Sequence, residues 1–149
     1  KVKVIEKAGM TLKKMLQRSN PYPKERCKRV DCAACEYGRP GECRTRGCVY
    51  QIKCEDDGKM YKGQTGRSLY ERLKEELNDM QKKEGRSPLW RHAEECHGGE
   101  WFDMDIDVTD KCFGKPRRRM ITEAVQIGEI ETDSHADRQS MNFHNVAWH

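Results

Sequence analysis

The sequence predicts an α+β fold: a small three-stranded antiparallel sheet flanked by helices and preceded by a loop-rich segment. Three observations lead to it. Residues 48–63 alternate around an Asp-Gly turn as a hairpin does, residues 68–83 carry an apolar stripe at helical spacing, and residues 101–108 alternate strictly between polar and apolar side chains. A short helix over residues 87–98 and a helix that opens at Pro116 complete the order.

The composition indicates one domain with a small core and a heavily charged surface. Of the 149 residues, 35% are hydrophobic and 36% are charged. No run of about 18 apolar residues occurs, so we expect no membrane span. Because the chain starts at Lys1 without methionine, we expect it to be a piece of a longer polypeptide.

The net charge of +4 conceals an asymmetry along the chain. Residues 1–50 hold 13 Lys and Arg against 5 Asp and Glu, whereas residues 51–149 hold 16 against 20. A basic half is a candidate footprint for nucleic acid, because cations gain affinity by releasing phosphate counterions. The alternative is an ordinary solvated surface, and composition alone does not separate the two.

Residues 1–23 are predicted to form a basic arm that contains a short strand and a short helix. Proline residues end the helix and lead into a cysteine-rich segment over residues 24–46. This segment has almost no aliphatic side chains, so it needs a cross-link if it is ordered. Its C-x4-C-x2-C-x7-C spacing suits a tetrahedral Zn²⁺ site, and the alternative is a disordered linker. The predicted ligands are Cys27, Cys32, Cys35 and Cys43, with His92 and His97 as alternative ligands.

Two charged side chains lie on the apolar stripe of the helix predicted over residues 68–83. A capping box from Ser68 to Glu71 starts this helix, and its stripe includes Arg72 and Glu76. One interpretation is an ion pair four residues apart at the edge of the stripe. The other is an arginine directed at a phosphate above the sheet.

The helix that opens at Pro116 begins with three arginines, which is unfavourable for its dipole and indicates an anion nearby. Met120, Glu123, Ile127 and Ile130 fall on one stripe, so Glu123 is predicted to face inward or toward a cleft. The aspartates of residues 101–108 are predicted to form the solvated face of a half-buried strand.

In its motifs and in the order of its elements, the chain resembles the GIY-YIG nuclease domain. Cys48-Val49-Tyr50 stands where that family ends its first strand with tyrosine, and Tyr61-Lys62-Gly63 stands at its second motif. Thr65, Leu69 and Arg72 follow the family pattern G-x-T-x3-L-x2-R. The resemblance implies six catalytic positions, namely Tyr50, Tyr61, Arg72, Glu76, Glu123 and Asn142.

One position departs from the family pattern. A histidine usually follows the helix arginine by four residues, and this chain has Glu76 there. A carboxylate at this place could pair with Arg72, repel a phosphate or bind metal differently. We therefore expect that activity could be impaired.

Several segments are similar to the endonuclease of Penelope-like retroelements: AGMTLKKMLQRSNPYP, the cysteine cluster, GCVYQIKC, YKGQTGRSLYERLKE and the histidine pair after Trp90. This resemblance implies nicking of double-stranded DNA to leave a 3′ hydroxyl for target-primed reverse transcription. It also implies a covalently linked reverse transcriptase and an intracellular, nuclear location.

Within this scheme, residues 47–149 form the nuclease domain, and Glu123 is expected to bind a catalytic Mg²⁺ or Mn²⁺ while Zn²⁺ is structural. The residues expected to contact nucleic acid are Lys62, Arg67, Arg117, Arg118 and Arg119. Two rival hypotheses are a catalytically weakened, zinc-dependent nucleic-acid-binding module and a protein-interaction module whose arm is stapled by disulfides.

Overall fold

The computed structural model describes residues 26–132 and 140–142. The predicted arm over residues 1–23 and most of the C-terminal tail lie outside the described residues. In chain order the elements are α1 Ala33–Glu36, a short 3-10 helix Glu42–Arg44, β1 Arg46–Cys54, β2 Met60–Ser68, α2 Leu69–Gln81, α3 Pro88–His97, β3 Met104–Lys111 and α4 Pro116–Thr132.

The three strands form one antiparallel sheet with β1 in the centre, in the order β2-β1-β3. The α+β class and the three-stranded antiparallel sheet predicted from the sequence are therefore confirmed. The third strand begins at Met104 and not at Trp101, and Trp101 is partly exposed. Its Asp105 is exposed, whereas Asp107 is half-buried and forms an ion pair with Arg39 at 3.4 Å, so the aspartate face is not uniformly solvated.

The two faces of the sheet are covered by different helices. Side chains on one face of β1 follow the two-residue period and pack with α2 and α3 in the main core. The members of this face are Cys48, Tyr50, Ile52 and Cys54, all fully buried. Helix α4 lies on the other face, where Thr109 donates a hydrogen bond to Gln126 at 2.7 Å.

Helix α2 starts with the predicted capping box, because the Ser68 hydroxyl accepts from the Glu71 amide and the Glu71 carboxylate accepts from the Ser68 amide. Its apolar stripe is buried at Leu69, Leu73 and Met80. These contacts hold the inward face of α2 against the sheet. The same face of α2 carries Arg72 and Glu76.

On α4 the predicted stripe is only partly correct. Ile130 is buried and Ile127 is half-buried, but Met120 is 58% exposed. Met120 therefore shares the helical face of Ile127 and Ile130 but is not covered by the sheet. Glu123 is half-buried, in agreement with an inward or cleft-facing position.

The cysteine-rich segment is folded onto the helices and the sheet. The amide of Ile106 in β3 donates to the carbonyl of Tyr37 at 2.7 Å, and the amide of Leu69 donates to the carbonyl of Thr45 at 2.9 Å. Asp31 accepts from the Tyr70 hydroxyl at 3.3 Å on the surface of α2. The segment therefore has a defined place beside α2 and β3.

Near the C-terminus, residues 140–142 lie against the outer edge of β2. Met141 is buried, and its amide donates to the carbonyl of Met60 at 2.8 Å. Across the part of the chain that is described, no helix has both the length and the apolar character that a membrane span requires.

Candidate functional site

Four side chains converge where the hairpin of β1 and β2 meets helix α2. The strand register places Tyr50 opposite Gly63 and Ile52 opposite Tyr61, so the two tyrosines lie diagonally on one face. Their ring centroids are 6.3 Å apart in an edge-on arrangement. Both hydroxyls point toward Arg72 and Glu76 of α2.

Gly63 makes room for the first tyrosine. A Cβ atom at this position would lie 2.5 Å from the Tyr50 hydroxyl oxygen and 2.6 Å from its ring carbon. Any side chain there would displace the tyrosine from the cluster. Packing of Tyr50 therefore requires glycine at the third position of the Tyr61-Lys62-Gly63 motif.

The carboxylate of Glu76 is the common acceptor of the cluster. Its Oε1 atom accepts from the Tyr61 hydroxyl at 2.9 Å and from the Tyr50 hydroxyl at 3.3 Å, and it forms an ion pair with Nη2 of Arg72. The ion pair four residues apart that the sequence suggested is present. The Glu76 side chain is only 5% exposed, so its charge is compensated inside the protein.

Burial keeps both tyrosines protonated. Burial raises the pKa of Tyr50 well above its ordinary value, and the charge of Glu76 adds to this effect while Arg72 opposes it. The pKa of Tyr61 is raised by burial and by Glu76. Either hydroxyl can orient a neighbouring group by hydrogen bonding, but neither is prepared to act as a tyrosinate base.

All three nitrogens of the Arg72 guanidinium have partners on the protein. Nε donates to the Tyr50 hydroxyl at 3.2 Å, Nη1 lies 3.7 Å from the Glu75 carboxylate, and Nη2 pairs with Glu76. One third of its side chain is exposed. The arginine therefore reaches from the buried cluster to the surface.

Glu123 lies on helix α4, within electrostatic range of Arg72 but without a direct contact to the cluster. Burial raises the pKa of its carboxyl, and the positive charges of Arg72 and Arg119 lower it. Its carboxylate oxygens are hard ligands of the kind that Mg²⁺ prefers. Among the described residues, Glu123 is not in a group of three or more possible metal ligands.

Asn142 supports β2 and does not reach toward the tyrosines. Its Oδ1 accepts from the Lys62 amide at 2.9 Å, and its Nδ2 donates to the Lys62 carbonyl at 2.7 Å. This paired hydrogen bond replaces a neighbouring strand along the exposed edge of β2. The role that the structure gives to Asn142 is to hold the second tyrosine motif in position.

The basic residues expected to contact nucleic acid lie in different environments. Lys62 is buried, its ammonium donates to Gln51 at 2.7 Å, and burial lowers its pKa. Arg67 is exposed and pairs with Glu75, while Arg118 is exposed and lies 3.4 Å from Asp110. Lys62 thus lies inside the protein with its ammonium on Gln51, whereas Arg67 and Arg118 lie at the surface.

The four predicted zinc ligands come together. The sulfur atoms of Cys27, Cys32, Cys35 and Cys43 all lie within 4.8 Å of one another. The Sγ atoms of Cys27 and Cys35 are 3.7 Å apart, close to the ~3.8 Å expected between two ligands of a tetrahedral Zn²⁺ with Zn–S bonds of ~2.3 Å. This group could hold a metal ion, and its four thiols suit Zn²⁺.

The thiols of this group differ in acidity. Burial raises the pKa of Cys43 to about 11, and it also raises the pKa of Cys32. Burial acts on Cys35 in the same direction, but amide donors that include Gly41 at 3.5 Å lower its pKa to about 6. Metal binding at this group must therefore displace protons, so its affinity rises with pH.

A second group of possible metal ligands contains the histidine pair. Cys54, Asp57, His92 and His97 place one ligand atom each within 4.8 Å of one another. The Nε2 atoms of the two histidines are 3.2 Å apart, and Cys54 Sγ is 3.5 Å from His97 Nε2. Both distances suit tetrahedral bonds of ~2.0–2.3 Å to one ion. The structure thus gathers the histidines here and apart from the four-cysteine group.

The sequence analysis did not identify Cys54 and Asp57 as ligands. Cys54 lies on the buried face of β1 and Asp57 in the turn of the hairpin, so neither stands out in the sequence as a ligand. Their C-x2-D spacing resembles the C-x2-C spacing of a metal knuckle, and that was the available signal. Burial lowers the pKa of His92, which favours the neutral imidazole that metals bind.

We expect the purified chain to bind two Zn²⁺ ions, one at each group. His97→Ala should lower the stoichiometry to one, because it removes a ligand from the second group only. Metal content after dialysis measures this directly. Cys96→Ser is the matched control, since Cys96 precedes His97 but is exposed and outside both groups. A His97→Ala protein that retains two ions would contradict the assignment.

Comparisons of the chain with protein-family models, with curated proteins and with solved structures gave no match.

Proposed function

We propose that this chain is a metal-dependent DNA endonuclease of the GIY-YIG type, similar to the nucleases of Penelope-like retroelements. The observation that carries the proposal is the convergence of Tyr50, Tyr61 and Arg72 at one point, with the Glu123 carboxyl of α4 in electrostatic range of Arg72. The tyrosines and Arg72 are positioned by a three-stranded antiparallel sheet and a helix, as the proposal requires.

The proposed reaction is hydrolysis of one phosphodiester in double-stranded DNA. Water adds to phosphorus, the bond from phosphorus to the 3′ oxygen breaks, and that oxygen takes a proton. The products are a 3′ hydroxyl and a 5′ phosphate. A 3′ hydroxyl can prime a reverse transcriptase, which we propose is linked to this chain in a nuclear retroelement protein.

The residues present fit a divalent cation at Glu123, since Mg²⁺ is often bound through one or two carboxylates together with water and substrate phosphate. When bound, such an ion supplies positive charge that stabilises the phosphate as it is attacked. We propose Mg²⁺ or Mn²⁺ for this role.

Arg72 and Tyr61 have separate roles in this proposal. The planar guanidinium of Arg72 binds phosphate oxygens and stabilises the charge that develops on them. The Tyr61 hydroxyl donates a hydrogen bond to Glu76. Its oxygen can therefore still accept a hydrogen bond from a water molecule and orient that water. Tyr50 is fully buried and holds the Nε edge of Arg72 in place.

The test is nicking of supercoiled plasmid with Mg²⁺ or Mn²⁺. We expect the chain to produce open circles, and Glu123→Ala and Arg72→Ala to reduce this to background because each removes charge stabilisation from the site. Arg86→Ala is the control, since Arg86 is exposed in the loop between α2 and α3. Thermal unfolding shows whether each variant is folded.

A specific observation favours a second candidate, a zinc-dependent nucleic-acid-binding module. The guanidinium of Arg72 is already paired with Glu76 and lies near Glu75, which reduces its availability to a phosphate. DNA binding without nicking, both in the chain and in Glu76→His, would establish this alternative and overturn the nuclease proposal.

A further inference from the structure

We propose that Arg119 is a second phosphate-binding arginine of the candidate site, so that a phosphodiester of DNA would be held between Arg72 and Arg119 beside Glu123. This inference rests on the proposed function and makes it more specific. It assigns this role to one of the three consecutive arginines at the start of α4, which the sequence alone does not distinguish.

The three arginines point in different directions because successive helical residues are rotated by about 100°. Arg117 is exposed, and Arg118 extends toward Asp110 in β3 with its side chain 57% exposed. Arg119 is half-buried, and its Nε donates to the side-chain oxygen of Gln64 in β2. Of the three arginines, Arg119 is the one whose side chain contacts β2.

Arg119 and Glu123 are four residues apart on α4 and therefore share one face of the helix. Arg119 lies close enough to lower the pKa of the Glu123 carboxyl, as does Arg72 from the other helix. The charge of Arg72 is already compensated by Glu76 and Glu75, so the Arg119 guanidinium is the cationic group that remains available here. An anion is the complementary ligand for such a place.

The second strand leaves space for this guanidinium. A Cβ atom at Gly66 would lie 3.3 Å from Nη2 of Arg119 and 3.6 Å from its Cζ. The guanidinium thus packs over the bare backbone of β2, three residues beyond the glycine that accommodates Tyr50. Gly63 and Gly66 of β2 thus leave space for the Tyr50 ring and for the Arg119 guanidinium, respectively.

Within the described residues, Arg119 interacts with the Glu123 carboxylate only at longer range than an ion pair. Arg72 and Arg67 each face carboxylates of α2, and Arg118 faces Asp110. Within residues 26–132 and 140–142, the hydrogen-bond partner of the Arg119 side chain is the neutral amide of Gln64, and no carboxylate forms an ion pair with it. A half-buried guanidinium held by a neutral partner is prepared to bind a phosphate.

The test compares Arg119→Ala, Arg119→Lys and Arg118→Ala in plasmid nicking. We expect Arg119→Ala to lower kcat about 100-fold, since it removes one donor that stabilises transition-state charge. Arg119→Lys should recover part of this loss by keeping the charge without the planar donors. Arg118→Ala removes the same charge one residue earlier and should raise KM without lowering kcat. Arg86→Ala serves as the unchanged control.

Equal kcat values for Arg119→Ala and Arg118→Ala would overturn the inference, while nicking by the unaltered chain would leave the proposed function standing. If the unaltered chain does not nick DNA, the proposed function fails and a binding measurement decides. Fluorescence anisotropy with a short labelled DNA duplex in Ca²⁺ should then show about tenfold weaker binding for Arg119→Ala than for Arg118→Ala. Equal affinities would overturn the inference.

Discussion

Loss of a metal from the four-cysteine group is expected to unfold the cysteine-rich segment and to destabilise the whole chain. The segment buries only two small apolar side chains in its helix, Ala33 and Ala34, besides its cysteines. Burial of so little apolar area cannot offset the backbone entropy of ordering the segment. Structural Zn²⁺ in small peptides contributes roughly 10 kcal/mol or more, so it would supply the missing free energy.

Chelation or Cys35→Ser should therefore lower the free energy of unfolding by more than ~4 kcal/mol. Hydrogen exchange gives the sharper measurement. The amides of Cys35 and Glu36 donate to the Cys32 carbonyl at 2.9 and 3.0 Å, and the Leu69 amide donates to Thr45. All three should exchange much faster in the metal-free protein, whereas amides in the centre of β1 should stay protected.

Cys112→Ser is the matched control for this experiment. Cys112 is as buried as Cys35 but belongs to neither metal group. Its replacement should lower the free energy of unfolding only by the cost of burying a serine hydroxyl, and it should leave the metal content unchanged. If Cys35→Ser behaves like Cys112→Ser, and chelation changes nothing, then metal does not hold the segment.

Glu76→His is expected to increase nicking about tenfold, which corresponds to ~1.4 kcal/mol of transition-state free energy. Glu76 pairs with Nη2 of Arg72 and accepts from both tyrosine hydroxyls. A phosphate must compete with this carboxylate for the guanidinium and is also repelled by it. A neutral imidazole at the same position can still accept a hydrogen bond but releases Arg72 to the substrate.

The same change should cost stability. Glu76 is buried while Arg72 is one-third exposed, so the loss of the carboxylate leaves partly solvated donors without their acceptor. We expect a decrease of about 2 kcal/mol in the free energy of unfolding, measured by urea denaturation. Higher activity with lower stability would identify Glu76 as a stabilising contact that opposes function.

Glu76→Gln tests the electrostatic part of this argument by a separate measurement. The negative charge of Glu76 raises the pKa of Tyr61 in addition to burial, so its removal should lower that pKa. Phenolate absorbance during an alkaline titration reports the change. Glu75→Gln, the same substitution one residue earlier, should leave the titration unaltered because Glu75 faces Arg67 at the surface.

Lower nicking in both Glu76→His and Glu76→Gln would contradict the prediction. The carboxylate would then take part in the reaction, and the competition with phosphate would be the weaker effect.

Local sequence patterns contained most of the fold. The Asp-Gly turn and two-residue alternation predicted the hairpin, and the capping box with its stripe predicted α2, because each depends on neighbours within a few residues. The same local reasoning was wrong for Met120. A helical stripe shows which residues share a face, but it does not show how much of that face another element covers.

The candidate site was predictable in part. Clustered cysteines on a short segment with few apolar residues pointed to one metal group, since four ligands within 17 residues can meet without help from the fold. The second group combines a turn between two strands with a helix some 35 residues later in the chain, so no local spacing contained it. Asn142 likewise acquires its role only by pairing with the edge of a distant strand.

The chain's own residue order was sufficient to determine the elements, the two tyrosines on adjacent strands and the charged pair on α2, because periodicity and turn chemistry act over short distances. Tertiary structure alone determined which partners these groups meet. It directed Glu76 to both tyrosines, buried Lys62 with its ammonium on Gln51, and turned Arg119 rather than Arg118 toward Gln64 of β2. Such choices depend on how helices cross a twisted sheet, and that geometry arises only when distant segments pack together.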